Sequence, residues 1–382
     1  MNNHELDSHF QKLIRERKIR SAAYCIAKHG RIVCCHAMGD MDLGDGTTEK
    51  IHTDTIFEIQ SITKWIAAAA LLVLRERGEL SFSDPAGYYI EELGKEPFSR
   101  ITIRHLLTHT SGLVPLDGTF PDRDLDWKIH VDTQDVAGSW IPAMMKMGLS
   151  HEPGHRWEYS MAGFCMLGEI MVRITGERAE DFIRREILLP CGMTETHWKR
   201  EVTAEWAKRY QVRTEQHRQQ YALAQVQGES AWIDYSSGWQ EIPETAGGLM
   251  STLQDVIRFG IMLAEDGCYG GRQILQEESV RLFEENQLEP DVRDFCWGHG
   301  GIPIVYGAGC ATHDSSFDPE MKVGERTIYH EGAGPRMLMV NRKERLAAVW
   351  DVPFWTEHDW YVEPVRDTAN MIWREAVCGE MF

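Results

Sequence analysis

The chain is poor in cations. Among its 382 residues, 40 Lys and Arg stand against 59 Asp and Glu, a formal net charge of −19. Sequence-independent nucleic-acid binding rests on neutralising phosphates, so this balance excludes that class of function. It also gives no general attraction for anionic partners. No stretch approaches the roughly 18 apolar residues a membrane helix needs, and the longest apolar run ends at Leu74. The nine cysteines, at 25, 34, 35, 165, 191, 268, 296, 310 and 378, contain no C-x-x-C pair. An odd count with mostly apolar neighbours reads as reduced, buried thiols and a reducing compartment. The N-terminus, MNNHELDSHFQKLIRERKIRS, lacks the apolar core and small-residue cleavage site of a secretory signal. Together these lead us to expect a cytoplasmic protein. Also missing are a G-x-S-x-G elbow, a P-loop and a G-x-G-x-x-G turn.

What is present has a clear layout. The first residues read as a short amphipathic helix with Phe10, Leu13 and Ile14 on one side. Residues 21–39 predict two strands turning at His29-Gly30. The far end predicts three more, TIYHEGAG, RMLMVN and RLAAVWDVPF, with a polar turn at 341–344, and then a helix in VRDTANMIWREAV. Between them, ALLVLRERG, IRHLLTH, AGFCMLGEIMVRITG, EDFIRREIL and LQDVIRFGIMLAEDG carry helical spacing, several stopping on glycine. The economical architecture is an α/β (α+β) fold with one antiparallel sheet built from both chain ends and flanked by helices. Residues 1–60 and 290–382 would form that sheet region, 61–289 a largely helical insertion, and the active site would lie at their junction.

One motif is set aside on physical grounds. His151-Glu152-Pro153-Gly154-His155 matches the H-E-x-x-H pattern of zinc proteases. That chemistry needs both histidines on one face of a continuous helix, and Pro153-Gly154 breaks it. A surface turn is the expectation, with no metal.

The segment FEIQSITKWIAAAALLVLRERG (57–78) turns almost wholly apolar just after Ser61 and Lys64. Three residues apart, the two share a helical face. Free serine is a weak nucleophile and needs a base within reach; a lysine desolvated by Trp65, Ile66, four alanines and Leu71–Leu74 would supply one. Serine is also a common helix N-cap, and S-x-x-K arises by chance about once in a chain of this size. Ser61 is the only serine here with lysine at +3.

With its flanks, this segment resembles the nucleophile region of serine β-lactamases, penicillin-binding proteins and the related family VIII carboxylesterases, within the class C β-lactamase-like group. The likeness continues in order through 101–113, PGHRWEYSMAGFCMLGEIMVRITG (153–176), ILLPCGMTETHW (187–198), 244–264 and IYHEGAGPRMLMVNRKERLAAVW (328–350). The resemblance implies Ser61 as the acylated nucleophile, Lys64 as its base partner and Tyr159 as a proton carrier between two cations. It also implies an oxyanion hole from the backbone N–H groups of Ser61 and Ala333, and no cofactor. His330-Glu331-Gly332 stands where the family often has Lys-Thr-Gly, which places His330 and Gly332 beside the substrate.

Two departures bear on specificity. Met161 replaces the asparagine that usually ends the second motif and offers no donor to an acylamino group. His330 replaces a lysine, so a permanent charge for a substrate carboxylate is missing. Arg336 reads as a surface salt-bridge residue, with a partner for a substrate carboxylate as the alternative. Thirteen tryptophans include the clusters WIDYSSGW (232–239) and WDVPFWTEHDW (350–360); Trp355 and Trp360 are candidates to line an apolar acyl or alcohol pocket. The expected function is a serine carboxylesterase acting through an acyl-enzyme on small or medium acyl esters, its partner a small-molecule ester or amide. The rivals are a β-lactamase or D-amino-acid peptidase, an acyltransferase of the same fold, and a non-catalytic acyl-binding protein.

Overall fold

The computed structural model describes residues 4–42, 47–113, 140–198, 242–296, 299–313, 318–332, 336–353 and 362–378, with positions 201, 203, 206, 209 and 210. After helix α1 (His4–Arg15) come β1 (Ser21–Lys28), β2 (Arg31–Asp42) and β3 (Thr48–Lys50). The short β4 (Phe57–Glu58) leads into α2 (Ile62–Glu76), followed by α3 (Ile103–Leu107), α4 (Met161–Thr175) and β5 (His197–Trp198). Then β6 (Leu249–Ser251) precedes α5 (Leu253–Ala264), and β7 (Ala311–Thr312), β8 (Ile328–Gly332), β9 (Arg336–Asn341) and β10 (Leu346–Asp351) follow. The helical segments Val362–Asp367, Thr368–Trp373 and Arg374–Cys378 close the described chain.

Seven strands form one sheet in the order β7-β8-β9-β10-β1-β2-β3, with β1 hydrogen-bonded to β10 from the other end of the sequence. All its pairings are antiparallel. The sheet drawn from both termini is therefore observed, and the His29-Gly30 turn lies where the sequence placed it. Side chains alternate along a strand. Ala23, Cys25, Ala27, Leu338, Val340, Ala347 and Val349 face one core; Tyr24, Ile26, Met337, Met339, Ala348 and Trp350 face the other. The first core packs under α2 and α5, the second under α1 and the C-terminal helices, so both sheet faces are covered. Helix α5 lies directly on the strands. A Cβ at its Gly260 would stand 3.0 Å from Ala347 Cβ and 3.1 Å from Leu338 Cδ1.

Helix α2 is buried from Ile62 through Leu74 without a break. Its large apolar side chains contribute about 1.5–3 kcal/mol each by burial. That outweighs the several kcal/mol that one desolvated ammonium costs. A polar head on a buried helix is thus affordable. The smaller sheet β4-β6-β5 braces the entry to α2 through Ile59 N–H to Leu249 O (3.0 Å). Of the eight cysteines whose side chains are described, six are buried, Cys35 and Cys268 are half-buried, and none is in a disulfide. Among the described residues no helix is long and apolar enough to cross a membrane, and no cluster of three or more His, Cys, Asp or Glu is placed to hold a metal ion.

Candidate active site

The site forms where the heads of α2 and α4 meet the end of β8. Gln60 is held at φ 51°, a conformation uncommon for a residue with a Cβ, and it turns the chain sharply before Ser61. Ser61 makes no side-chain cap on α2. Its Oγ instead accepts from Lys64 Nζ at 3.0 Å. The capping role that serine so often fills is absent here, and the hydroxyl is turned to the amine.

Lys64 is 0% exposed. Its ammonium also donates to the carbonyl oxygen of Ala246 at 2.6 Å and lies 4.8 Å from the centroid of the Tyr159 ring. Tyr159 sits just ahead of α4, where Ser160 Oγ accepts from Gly163 N–H and caps the helix. The backbone N–H of Tyr159 donates to Cys296 Sγ at 2.8 Å. Met161, the first residue of α4, is half-buried and packs against the core edge. Tyr159, distant in sequence, is brought to the neighbouring pair Ser61 and Lys64.

A residue that sequence reasoning missed lies beneath them. His109 is 1% exposed, and its ring packs on Tyr159 with centroids 4.3 Å apart. Its Nδ1 accepts from Ser160 N–H (3.1 Å) and its carbonyl accepts from Glu158 N–H (2.9 Å). It adopts φ 56°. Burial, then the charges of Lys64 and His330, hold its imidazole well below the usual value. It is a neutral wedge that fixes the start of α4 and the ring of Tyr159. A left-handed histidine supporting a tyrosine fifty residues on leaves no local signature in the sequence.

On β8, His330 is 6% exposed, and its ring approaches Tyr159 edge-on at 6.4 Å between centroids. Burial first and Lys64 second push it down to about 3. The expectation of a tyrosine between two cations is therefore corrected: beside Lys64 stands a neutral imidazole, because a second charge there would be both desolvated and repelled. Glu331 points to the opposite side of the strand, and burial raises its carboxyl to about 7. Gly332 ends β8 in a place only glycine fills, since a Cβ would come within 2.6 Å of Arg336 Cγ and 2.7 Å of Ile59 O.

Arg336 also departs from expectation. It is 1% exposed, its Nε donates to Asp351 Oδ1 at 2.6 Å, and its guanidinium lies over the Phe57 ring. It is a buried pair across β9 and β10, not a surface one. The HEPGH stretch is a turn, with His155 facing Glu152 and His151 facing Glu158, each at 3.6 Å. Ala333, Trp355 and Trp360, and the cluster at 232–239, lie outside the described residues.

Known proteins resemble this chain in sequence and fold. The family model described as Beta-lactamase matches residues 6–351. Penicillin-binding protein 4* of Bacillus subtilis (strain 168) is 32% identical over 247 residues, covering 63% of this chain and 51% of that one. Esterase EstB of Burkholderia gladioli is 34% identical over 199 residues, covering 49% of each. The chain thus matches about half the length of these curated relatives. The crystal structure of a family VIII carboxylesterase superposes with a TM-score of 0.69 at 18% identity, over 96% of both chains. The match across nearly the whole sheet, together with the shared fold, makes this chain a member of the β-lactamase family, within the serine β-lactamase and penicillin-binding-protein superfamily.

Proposed function

We propose that this protein is a serine hydrolase that works through an acyl-enzyme, and that its substrates are small or medium acyl esters. One observation carries the reading: the Ser61 hydroxyl is bonded to a fully buried lysine amine instead of capping its helix. In the proposed reaction Lys64 acts in its neutral amine form: Ser61 Oγ attacks the ester carbonyl and passes its proton to the Lys64 amine, which becomes the ammonium. The oxyanion is held by the N–H groups of Ser61 and Ala333. The C–O bond to the alcohol breaks, and Tyr159 returns a proton to the departing alkoxide. Water then adds to the acyl-serine, giving up a proton through Tyr159 and Lys64, and the acid leaves with Ser61 restored.

Similarity to an esterase supports the ester preference, as do two features of the site itself. Met161 offers no donor to an acylamino group, and His330 is a neutral ring where a carboxylate would need a cation. The amide-directed reading, a β-lactamase or D-amino-acid peptidase, has the Bacillus relative in its favour. Purified protein assayed with a short-chain p-nitrophenyl ester and a chromogenic cephalosporin, with Ser61→Ala as control, separates the two. Ester turnover lost in the variant is the expected result. Cephalosporin turnover at comparable kcat/KM would transfer the assignment to the amide-directed rival. Failure of a fluorophosphonate probe to label Ser61 would remove both.

A further inference from the structure

The hydrogen bonds of His330 fix which of its nitrogens carries the proton. Nδ1 lies 2.8 Å from the carbonyl oxygen of Glu331. A carbonyl only accepts, so Nδ1 is the protonated nitrogen, and Nε2 of the neutral ring presents a lone pair. That Nε2 is buried and makes no hydrogen bond among the described residues. The ring sits against Tyr159, and the charge of Lys64 acts on it. A buried acceptor left unpaired costs about 1–3 kcal/mol, a cost that a ligand removes when it brings a donor.

We propose that His330 Nε2 is a specificity element that accepts a hydrogen bond from a donor on the substrate near its scissile carbonyl, so that the favoured substrates are uncharged esters carrying a hydroxyl or amide N–H. This rests on the hydrolase reading above and names the substrate class for the same site. A lysine at this position offers a charge and three donors. The imidazole offers one lone pair, so a carboxylate placed there meets it acceptor to acceptor. Substrate carboxylates are rejected by this arrangement, and a matched hydroxyl is recognised.

The test compares ethyl esters matched in length that carry a hydroxy, methoxy or carboxylate group at the second or third carbon. In the wild type the hydroxy ester should exceed its methoxy partner in kcat/KM by about tenfold or more, and the carboxylate ester should be the poorest. His330→Leu should bring the hydroxy and methoxy esters level, His330→Gln should keep part of the preference through its amide oxygen, and His330→Lys should favour the carboxylate. Circular dichroism and Tm verify that each variant folds. Independently of turnover, nitrogen NMR of the wild-type imidazole should show Nδ1 protonated and Nε2 bare from pH 5 to 8. A wild-type ratio near one, a hydroxy preference that survives in folded His330→Leu, or a proton found on Nε2 overturns the proposal. If Ser61 takes no acyl probe while NMR finds Nε2 bare, the hydrolase reading has failed, and the substrate assignment falls with it although the acceptor stands.

Discussion

Lys64 and Arg336, two of the buried cations among the described residues, are held in opposite ways. Lys64, 0% exposed, is bonded to a hydroxyl and a peptide carbonyl, both neutral. Arg336, 1% exposed, is bonded to the carboxylate of Asp351. A carboxylate partner stabilises the charged form of a buried cation. Arginine keeps its proton in any protein environment, while lysine gives one up when its surroundings favour it. The pair on β9 and β10 therefore fastens strands, and in the proposed reaction it is the lysine at the head of α2 that moves a proton. Burial alone does not mark a charge as chemical; what it is bonded to does.

The largest effect should come from breaking the first of the two. Ser61→Ala and Lys64→Met are each expected to lower ester kcat/KM by about 10³ or more, roughly 4 kcal/mol of transition-state stabilisation. Lys64→Met fills similar volume and removes a desolvated charge, so its Tm should hold or rise. A lysine that served only to stabilise the fold would show the reverse, with Tm falling and turnover per folded molecule preserved.

Arg336 should behave in the opposite manner. Arg336→Met strands the carboxylate of Asp351 in the core, and breaking such a pair costs about 3–5 kcal/mol. Replacing both, with Arg336→Met and Asp351→Leu, should recover most of that loss. A urea-denaturation double-mutant cycle measures the coupling, and additive losses would show that the two side chains do not act as a pair.

The contrast also shows what could be read from the sequence. The two-ended sheet was legible because its strands have apolar patterning and obvious turns, and Ser61, Lys64 and Tyr159 because their flanks follow the family's order. The sequence misplaced Arg336 because the carboxylate that sinks it, Asp351, lies across the sheet at the far side of a strand turn. Register paired them, and register is a tertiary fact. Ala246 entered the site by its carbonyl, which no side-chain motif can announce. His109 was hidden for a third reason: its role depends on a positive φ and on ring packing. The neutrality of His330 needed burial and the position of Lys64, neither of which spacing reveals.

His109 extends the comparison to a buried base that stays uncharged. His109→Phe keeps a ring under Tyr159 but removes the acceptor for Ser160 N–H, so we expect a loss of about 1–3 kcal/mol in stability. Misplacement of the Tyr159 ring should lower kcat about tenfold, with little change in KM. A KM rise with kcat intact would move His109 from positioning Tyr159 to shaping the substrate pocket.

The smallest expected effect tests neighbours on one strand. His330 and Glu331 point to opposite sides of β8, and burial drives both toward the neutral form, the first down to about 3 and the second up to about 7. Their pH signatures therefore oppose. The His330 contribution is complete above its ordinary 6.5 and is lost as pH falls toward 3. The Glu331 contribution is complete below its ordinary 4.5 and is lost as pH rises through 7. Between these ordinary values the two slopes partly cancel, and above pH 7 only the cost of ionising Glu331 remains. Glu331→Gln removes that cost. Because the glutamate is only half-buried, the gain should be modest: the variant should match the wild type at pH 5 and exceed it by about 1 kcal/mol at pH 8. Urea midpoints at the two pH values measure it, and a difference independent of pH would show that the carboxyl of Glu331 ionises as freely in the fold as in the unfolded chain.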